Sequence, residues 1–187
     1  GRGQNQNRKA AGAGAERRMK SRLFIVAAPS GAGKSSFVEK ICREEPRLVD
    51  TVTYTTRKPR RGESEGVPYH FTSREDFEAK IHEGFFVEWA MVHENMYGTP
   101  LHQLEDAWKQ GKAVIMDVDV QGASTFRRKF HDATLIFILP PSLEELRRRI
   151  VKRDGGEPKD LALRLKNAEI EMAKAPEFDY VVTNDDF

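Results

Sequence analysis

Eight consecutive residues constrain this chain more than any others: Ala28-Pro29-Ser30-Gly31-Ala32-Gly33-Lys34-Ser35. They follow Leu23-Phe24-Ile25-Val26-Ala27, a short apolar run of the kind that forms a strand buried on both faces. They precede a stretch in which Phe37, Val38, Ile41 and Cys42 recur at helical spacing, which predicts a helix from about Lys34 to near Pro46 with Cys42 on its core face. A strand, a glycine-rich turn and a helix in that order make a phosphate cradle, the P-loop. The turn aims consecutive backbone N–H groups at phosphate oxygens, and the helix N-terminus adds its positive dipole end. Pro29, Ser30, Gly31, Ala32, Gly33, Lys34, Ser35 and Ser36 are therefore the candidate ATP-binding residues. Lys34 is spaced to reach the terminal phosphates and Ser35 to ligate Mg²⁺. Ala28 stands where the usual pattern opens with glycine. A bare glycine-rich turn would account for the glycines but not for the lysine and the hydroxyl that follow them.

Further apolar runs at 113–118 and 134–139, and the shorter Tyr180-Val181-Val182, predict more buried strands with helical patterns between them. Ser142 and Glu145 have the spacing of a capping box, opening a helix with Leu143, Leu146 and Ile150 on one face. Apolar strands alternating with helices imply an α/β fold, a parallel P-loop core flanked by helices. The core is assigned to residues 21–52 and 100–187, with a helical lid near 142–165 around Gly155-Gly156. The segment between is aromatic, charged and turn-rich. It predicts an inserted lobe over 53–99, built of short antiparallel strands and a helix from Ser73 to about Glu83. Residues 1–20 hold Met19 as their one large apolar side chain, too little to repay ordering, and read as a flexible tail.

Composition narrows the function classes. With 187 residues, 39% of them hydrophobic, the chain can bury an ordinary core, and a net charge of +2 is too small to argue for nucleic acid as the main partner. A single cysteine, Cys42, excludes an internal disulfide and, with no secretory segment in evidence, points to the cytoplasm. No apolar run approaches the roughly 18–20 residues that span a bilayer, so no membrane partner is expected. The histidines lack ligand spacing with one another, and Trp89 and Trp108 read as packing residues. The motifs do not distinguish a monomer from a homo-oligomer.

A P-loop alone does not name the phosphoryl acceptor. In the 53–99 segment, Arg57, Lys58, Arg60 and Arg61 surround Pro59 and are followed by Tyr69, Glu88 and Tyr97-Gly98-Thr99. Arginines and tyrosine hydroxyls suit a phosphate monoester. A carboxylate suits a base that offers two adjacent donors, and guanine does so through N1–H and its N2 amine.

These stretches, in order, make the resemblance clear. Ala-Pro-Ser-Gly-Ala-Gly-Lys-Ser-Ser at 28–36, Thr-Thr-Arg-Lys-Pro-Arg at 55–60, Gly-Glu at 62–63, Tyr-His-Phe at 69–71 and Phe-Val-Glu-Trp-Ala at 86–90 resemble guanylate kinase. So do Tyr-Gly-Thr at 97–99, Asp-Val-Asp-Val-Gln-Gly at 117–122, Phe-Ile-Leu-Pro-Pro-Ser at 137–142 and Asn-Asp-Asp at 184–186. The resemblance implies transfer of the γ-phosphoryl of ATP to GMP, with ATP and GMP as partners and Mg²⁺ accompanying ATP. It implies that Arg57, Arg60, Tyr69 and Tyr97 hold the GMP phosphate and that Glu88 reads the guanine edge, helped by Thr53 and Thr99. It assigns Asp119 to nucleotide, Asp117 to Mg²⁺ or Lys34, and Asn184 to adenine. Arg149, Arg153 and Arg164 join Lys34 and Arg57 as catalytic candidates, whereas Arg147 and Arg148 read as a solvated helix face. The nucleophile is an already ionised phosphate, so no general base is required. Two alternatives share the scaffold: a kinase for another phosphorylated acceptor, and a non-catalytic peptide-binding module, whose P-loop would be degraded. The chain ends at Phe187, directly after the Asn-Asp-Asp stretch, where family members usually continue into a last helix.

Overall fold

The computed structural model describes residues 22–60, 62–92 and 94–185, so the predicted tail, Arg61 and His93 lie outside it. Among the described residues ten strands fall into two five-stranded sheets, and the fold is α/β. The first sheet is built from β1 (Leu23–Ala27), β2 (Leu48–Asp50), β8 (Ala113–Val118), β9 (Thr134–Leu139) and β10 (Tyr180–Thr183). Its order is β10-β9-β1-β8-β2, and every pairing is parallel.

Period-two geometry explains why the central strands read as unbroken apolar runs. Leu23, Ile25 and Ala27 face one side of the sheet, with Val114 and Met116, against Leu104, Ala107, Val120, Ala123 and Phe126. The latter five lie on α3 (Leu101–Lys109) and α4 (Val120–Lys129). Val26 and Ala28 face the other side, with Ile115 and Ile138, against Val38, Leu146, Ile150, Leu161 and Ala168. Those come from α1 (Lys34–Glu44), α5 (Leu143–Asp154) and α6 (Leu161–Met172), and Cys42 packs on the same layer half-buried.

One strand of this sheet has no signal in the sequence, and one expectation needs correction. β2 is only three residues long, too short for its period to register, yet it forms the edge beside β8. The Tyr180-Val181-Val182 run is a strand, but at the opposite edge it has β9 as its one neighbour among the described residues and stands 63%, 46% and 38% exposed. The predicted capping box at α5 is half formed. Ser142 Oγ accepts from the Glu145 N–H at 3.1 Å, while the Glu145 carboxylate turns to Arg149 and Arg148.

The second sheet comes from the intervening segment: β3 (Thr53–Thr55), β4 (Ser64–Glu65), β5 (Pro68–Phe71), β6 (Phe86–Val92) and β7 (Asn95–Pro100), in the order β4-β5-β3-β7-β6. It is mixed rather than antiparallel as expected: β5 lies parallel to both β3 and β4, and β7 is antiparallel to β3 and β6. The chain between β3 and β5 loops through the basic segment and returns in the same direction, which forces the parallel pairing. α2 (Arg74–His82) closes one side of this sheet. Ser73 caps it by accepting from Asp76 N–H, and Phe77 is fully buried with its ring stacked on Phe86 at 4.5 Å. Gly98 is needed there, because a Cβ would meet Phe86 Cδ1 at 2.8 Å and Phe77 Cζ at 2.9 Å. Trp108 packs against the first core as expected, but Trp89 is 44% exposed on the edge strand β6 and is not a packing residue. Gln103 of α3 ties the sheets together, accepting from Val52 N–H at 2.8 Å and donating to Val52 C=O at 3.3 Å where the chain passes from β2 to β3. None of the described helices is long and apolar enough to cross a membrane.

Candidate active site

The turn after β1 adopts the cradle conformation. Gly31 has φ 90°, accessible at low cost to glycine, and a Cβ on it would meet Ile150 Cγ1 of α5 at 2.9 Å. α1 begins with no side-chain cap and no acidic residue in its own first turn. Lys34 Nζ donates to the Val118 carbonyl at 3.0 Å and lies 3.8 Å from Asp117 Oδ2. Ser35 Oγ donates to the same Asp117 oxygen at 2.8 Å. Asp117 can do this because β8 lies parallel beside β1, in a register that pairs Val26 with Asp117 at the carboxyl ends of both strands. Asp119, just beyond, caps α4 by accepting from Gly122 N–H.

The second sheet turns one face towards these groups. Glu88 is the cross-strand partner of Thr99, Ala90 of Tyr97, and Thr53 of Tyr69. Together with Lys34, Asp117 and Asp119, these side chains line a cavity of about 220 Å³ between the sheets, completed by Val92, Gly98, Val118 and Gly122. Glu88 is 7% exposed. Burial, reinforced by the nearby Asp119 carboxylate and opposed by Lys129, pushes its carboxyl up to about 7. Burial, with Asp117 adding to it, pushes the Tyr69 hydroxyl up to about 12, so it remains a hydrogen-bond donor at every working pH.

Arg57 sits beside this cavity. Its guanidinium lies 5.3 Å from the Tyr69 ring centroid and 5.7 Å from that of Phe71, in cation–π contact with both. Glu63 holds it at 2.9 Å and is the main cause of its raised pKa. The Arg60 side chain is exposed, on the same loop. The remaining predicted residues do not line the cavity. Arg149, largely buried, donates through Nε to Glu145 and through Nη2 to the Asn184 carbonyl at 3.0 Å, and Asn184 Nδ2 donates to the Ala32 carbonyl of the P-loop at 3.1 Å. Arg153 and Arg164 both pair with Asp154, at 2.8 and 2.7 Å, and Arg164 also with Asp160. Arg147 is bound to Glu157 at 2.7 Å, and Arg148 to Glu145.

Two acidic residues that no sequence motif marks stand near the site without lining it. Glu63 was visible only as half of a Gly-Glu match. Glu171, on α6, lies in the electric field of Lys34 and Asp119, and burial raises its carboxyl above the ordinary range. Neither has a motif of its own; only folding brings them to the site.

Sequence comparison decides the family. The guanylate kinase family profile matches residues 20–187. This chain belongs to the guanylate kinase family. It is 61% identical over 169 residues to the guanylate kinase of Bdellovibrio bacteriovorus, a match covering 90% of this chain and 91% of that protein. With the guanylate kinase of Polaromonas sp. the identity is 48% over 165 residues, covering 88% of this chain and 80% of the relative. The fold is also similar to the crystal structure of guanylate kinase from Anaplasma phagocytophilum, with a TM-score of 0.71 and 34% identity over 89% of this chain and 78% of that one. As a guanylate kinase, the chain is a nucleoside monophosphate kinase, an ATP:GMP phosphotransferase.

Proposed function

We propose that the cavity between the two sheets is the place where the γ-phosphoryl of ATP passes to GMP, giving ADP and GDP. The observation that carries this assignment is the convergence of P-loop Lys34, strand-end Asp117 and Asp119, and the Glu88–Thr99 pair on one cavity. The P-loop and α1 receive the ATP phosphates through backbone N–H groups and Lys34. Across the cavity, Glu88 accepts from guanine N1–H and the N2 amine, while the hydroxyls of Thr53 and Thr99 serve the O6 and N7 side. Tyr69, Tyr97, Arg57 and Arg60 hold the GMP phosphate, and Asn184, beside the P-loop, serves adenine.

Ser35 Oγ and Asp117 Oδ2 present hard oxygen donors 2.8 Å apart, a pair that suits Mg²⁺, a cation that keeps several waters and takes few protein ligands. When bound there with ATP, Mg²⁺ supplies neutralisation of phosphate charge. The chain's own contribution is placement and positive charge. Lys34 and the arginines offset the repulsion between two anionic substrates and then the charge of the transferring group. The acceptor oxygen is already ionised, so no side chain need remove a proton. Residues 142–165 form the lid of this reading, with Arg153 and Arg164 exchanging Asp154 and Asp160 for phosphate oxygens as it closes and excludes water.

The test is ADP release measured with GMP, AMP, CMP and dTMP as acceptors. Turnover with GMP far above the other three is expected. Preference for another acceptor would overturn the base-reading assignment, and no ADP release with any of them would overturn catalysis itself.

A further inference from the structure

The segment between β3 and β5 carries an acidic residue where an anion is to be received. Glu63 is only 18% exposed at its side chain, and its partner Arg57 only 12%. One carboxylate oxygen, Oε1, accepts from Arg57 Nη2 at 2.9 Å, and the other, Oε2, accepts from the Arg60 backbone N–H at 2.7 Å. The Glu63 backbone N–H in turn donates to the Arg60 carbonyl at 3.0 Å. The loop that carries both arginines is thus closed on itself through one side chain. Arg57 is fixed further by Nη1 donating to the Lys58 carbonyl at 2.9 Å, and its backbone N–H donates to Thr55 Oγ1 at 3.1 Å.

A negative charge here weakens the bare attraction for a phosphate, so its presence calls for a physical reason. A largely buried guanidinium needs a charged partner, and a segment with several cations repels itself when nothing gathers it. A guanidinium locked in orientation against the Tyr69 and Phe71 rings meets a phosphate without first losing rotamer freedom. We propose that Glu63 is a positioning residue for acceptor-phosphate recognition, one carboxylate setting the Arg57 fork and the Arg60 backbone together. This rests on the assignment of Arg57 and Arg60 to the GMP phosphate. Glu63 acts through them and does not touch the substrate.

The experiment is steady-state kinetics on Glu63→Ala, Glu63→Gln, Arg57→Ala and the Glu63→Ala/Arg57→Ala double variant, with guanosine, which lacks the phosphate, as a competitive probe. Glu63→Ala should raise KM for GMP by about tenfold or more, since it removes two hydrogen bonds made by a charged acceptor. KM for ATP and the inhibition constant for guanosine should hold within about twofold, and Glu63→Gln, which keeps shape and one acceptor, should fall between Glu63→Ala and wild type. In the Arg57→Ala background the Glu63→Ala effect should shrink to the part carried by the Arg60 backbone contact, well below its size in the wild type.

If Arg57→Ala raises KM for GMP while the Glu63 variants do not, the positioning role is overturned and the phosphate assignment stands. If Arg57→Ala leaves KM for GMP unchanged, the phosphate assignment itself fails and takes the proposal with it. Additive effects in the double variant, or weakened guanosine binding in Glu63→Gln, would reduce Glu63 to a general structural part and overturn the proposal. Should Glu63→Ala not fold, the Glu63→Gln comparison with GMP and guanosine still decides between these outcomes.

Discussion

Glu88 combines two demands that conflict, and replacing it with glutamine of the same shape should separate them. With the carboxyl raised to about 7 from an ordinary 4.5, the folded protein binds a proton that the unfolded chain releases between those values. Stability from this group therefore falls as pH rises through the window. The cost is absent below about 4.5 and complete above about 7, where it amounts to about 3 kcal/mol for a group this buried. Glu88→Gln removes the ionisation. It should stabilise the unliganded protein by about 2–3 kcal/mol at pH 8 and by under about 1 kcal/mol at pH 5, measured by urea denaturation.

Binding should move the other way. In the proposed assignment the guanine edge presents two donors to Glu88 and needs its ionised form, which with a midpoint near 7 makes up about one-tenth of the population at pH 6 and nine-tenths at pH 8. GMP affinity of the wild type, followed by calorimetry, should therefore weaken about tenfold from pH 8 to pH 6 beyond any change caused by the phosphate's own ionisation near 6. Glu88→Gln should bind weakly and lose that extra dependence. Parallel pH profiles for the two proteins, or no gain in stability at pH 8, would refute the reasoning.

Lys34→Ala should lower kcat by at least roughly 10²–10³-fold, the scale of losing one preorganised electrostatic contact, with little change in Tm. Near-normal GDP formation would dismiss the P-loop role. Gly98→Ala drives a Cβ to within 2.9 Å of both Phe77 and Phe86 and should destabilise the second sheet by about 1–3 kcal/mol in denaturant titrations. Ser142→Ala removes the hydroxyl that accepts from Glu145 N–H and should cost about 1 kcal/mol of stability by thermal unfolding.

Legibility of the sequence followed the range of the interactions involved. The P-loop is a run of neighbours whose conformation and ligand-binding groups are set within a few residues, so residues 28–35 could be read directly. The same holds for the buried strands β1, β8 and β9, whose unbroken apolar runs record burial on two faces. β10 carries the same kind of run and stands exposed, because composition reports apolarity and only the strand order says which strand lies at an edge. The inserted sheet is mixed and not antiparallel for a related reason: pairing direction depends on the path of the intervening loop, which leaves no periodic mark.

The site divides along the same line. Arg57, Tyr69, Glu88 and Tyr97 could be named from a family resemblance in order along the chain. By itself, sequence determined which chemistry was available: a phosphate cradle, hydroxyls, cations and a few well-placed acids. Tertiary structure alone decided how those groups are charged and aimed. Glu88 rises to about 7 because folding buries it near Asp119, thirty-one positions away. Arg57 is held by Glu63 because a loop closes on itself, and Lys34 meets Asp117 because two strands far apart in sequence lie side by side. Electrostatic fields and hydrogen-bond geometry depend on distance in space, and that distance exists only once the chain has folded.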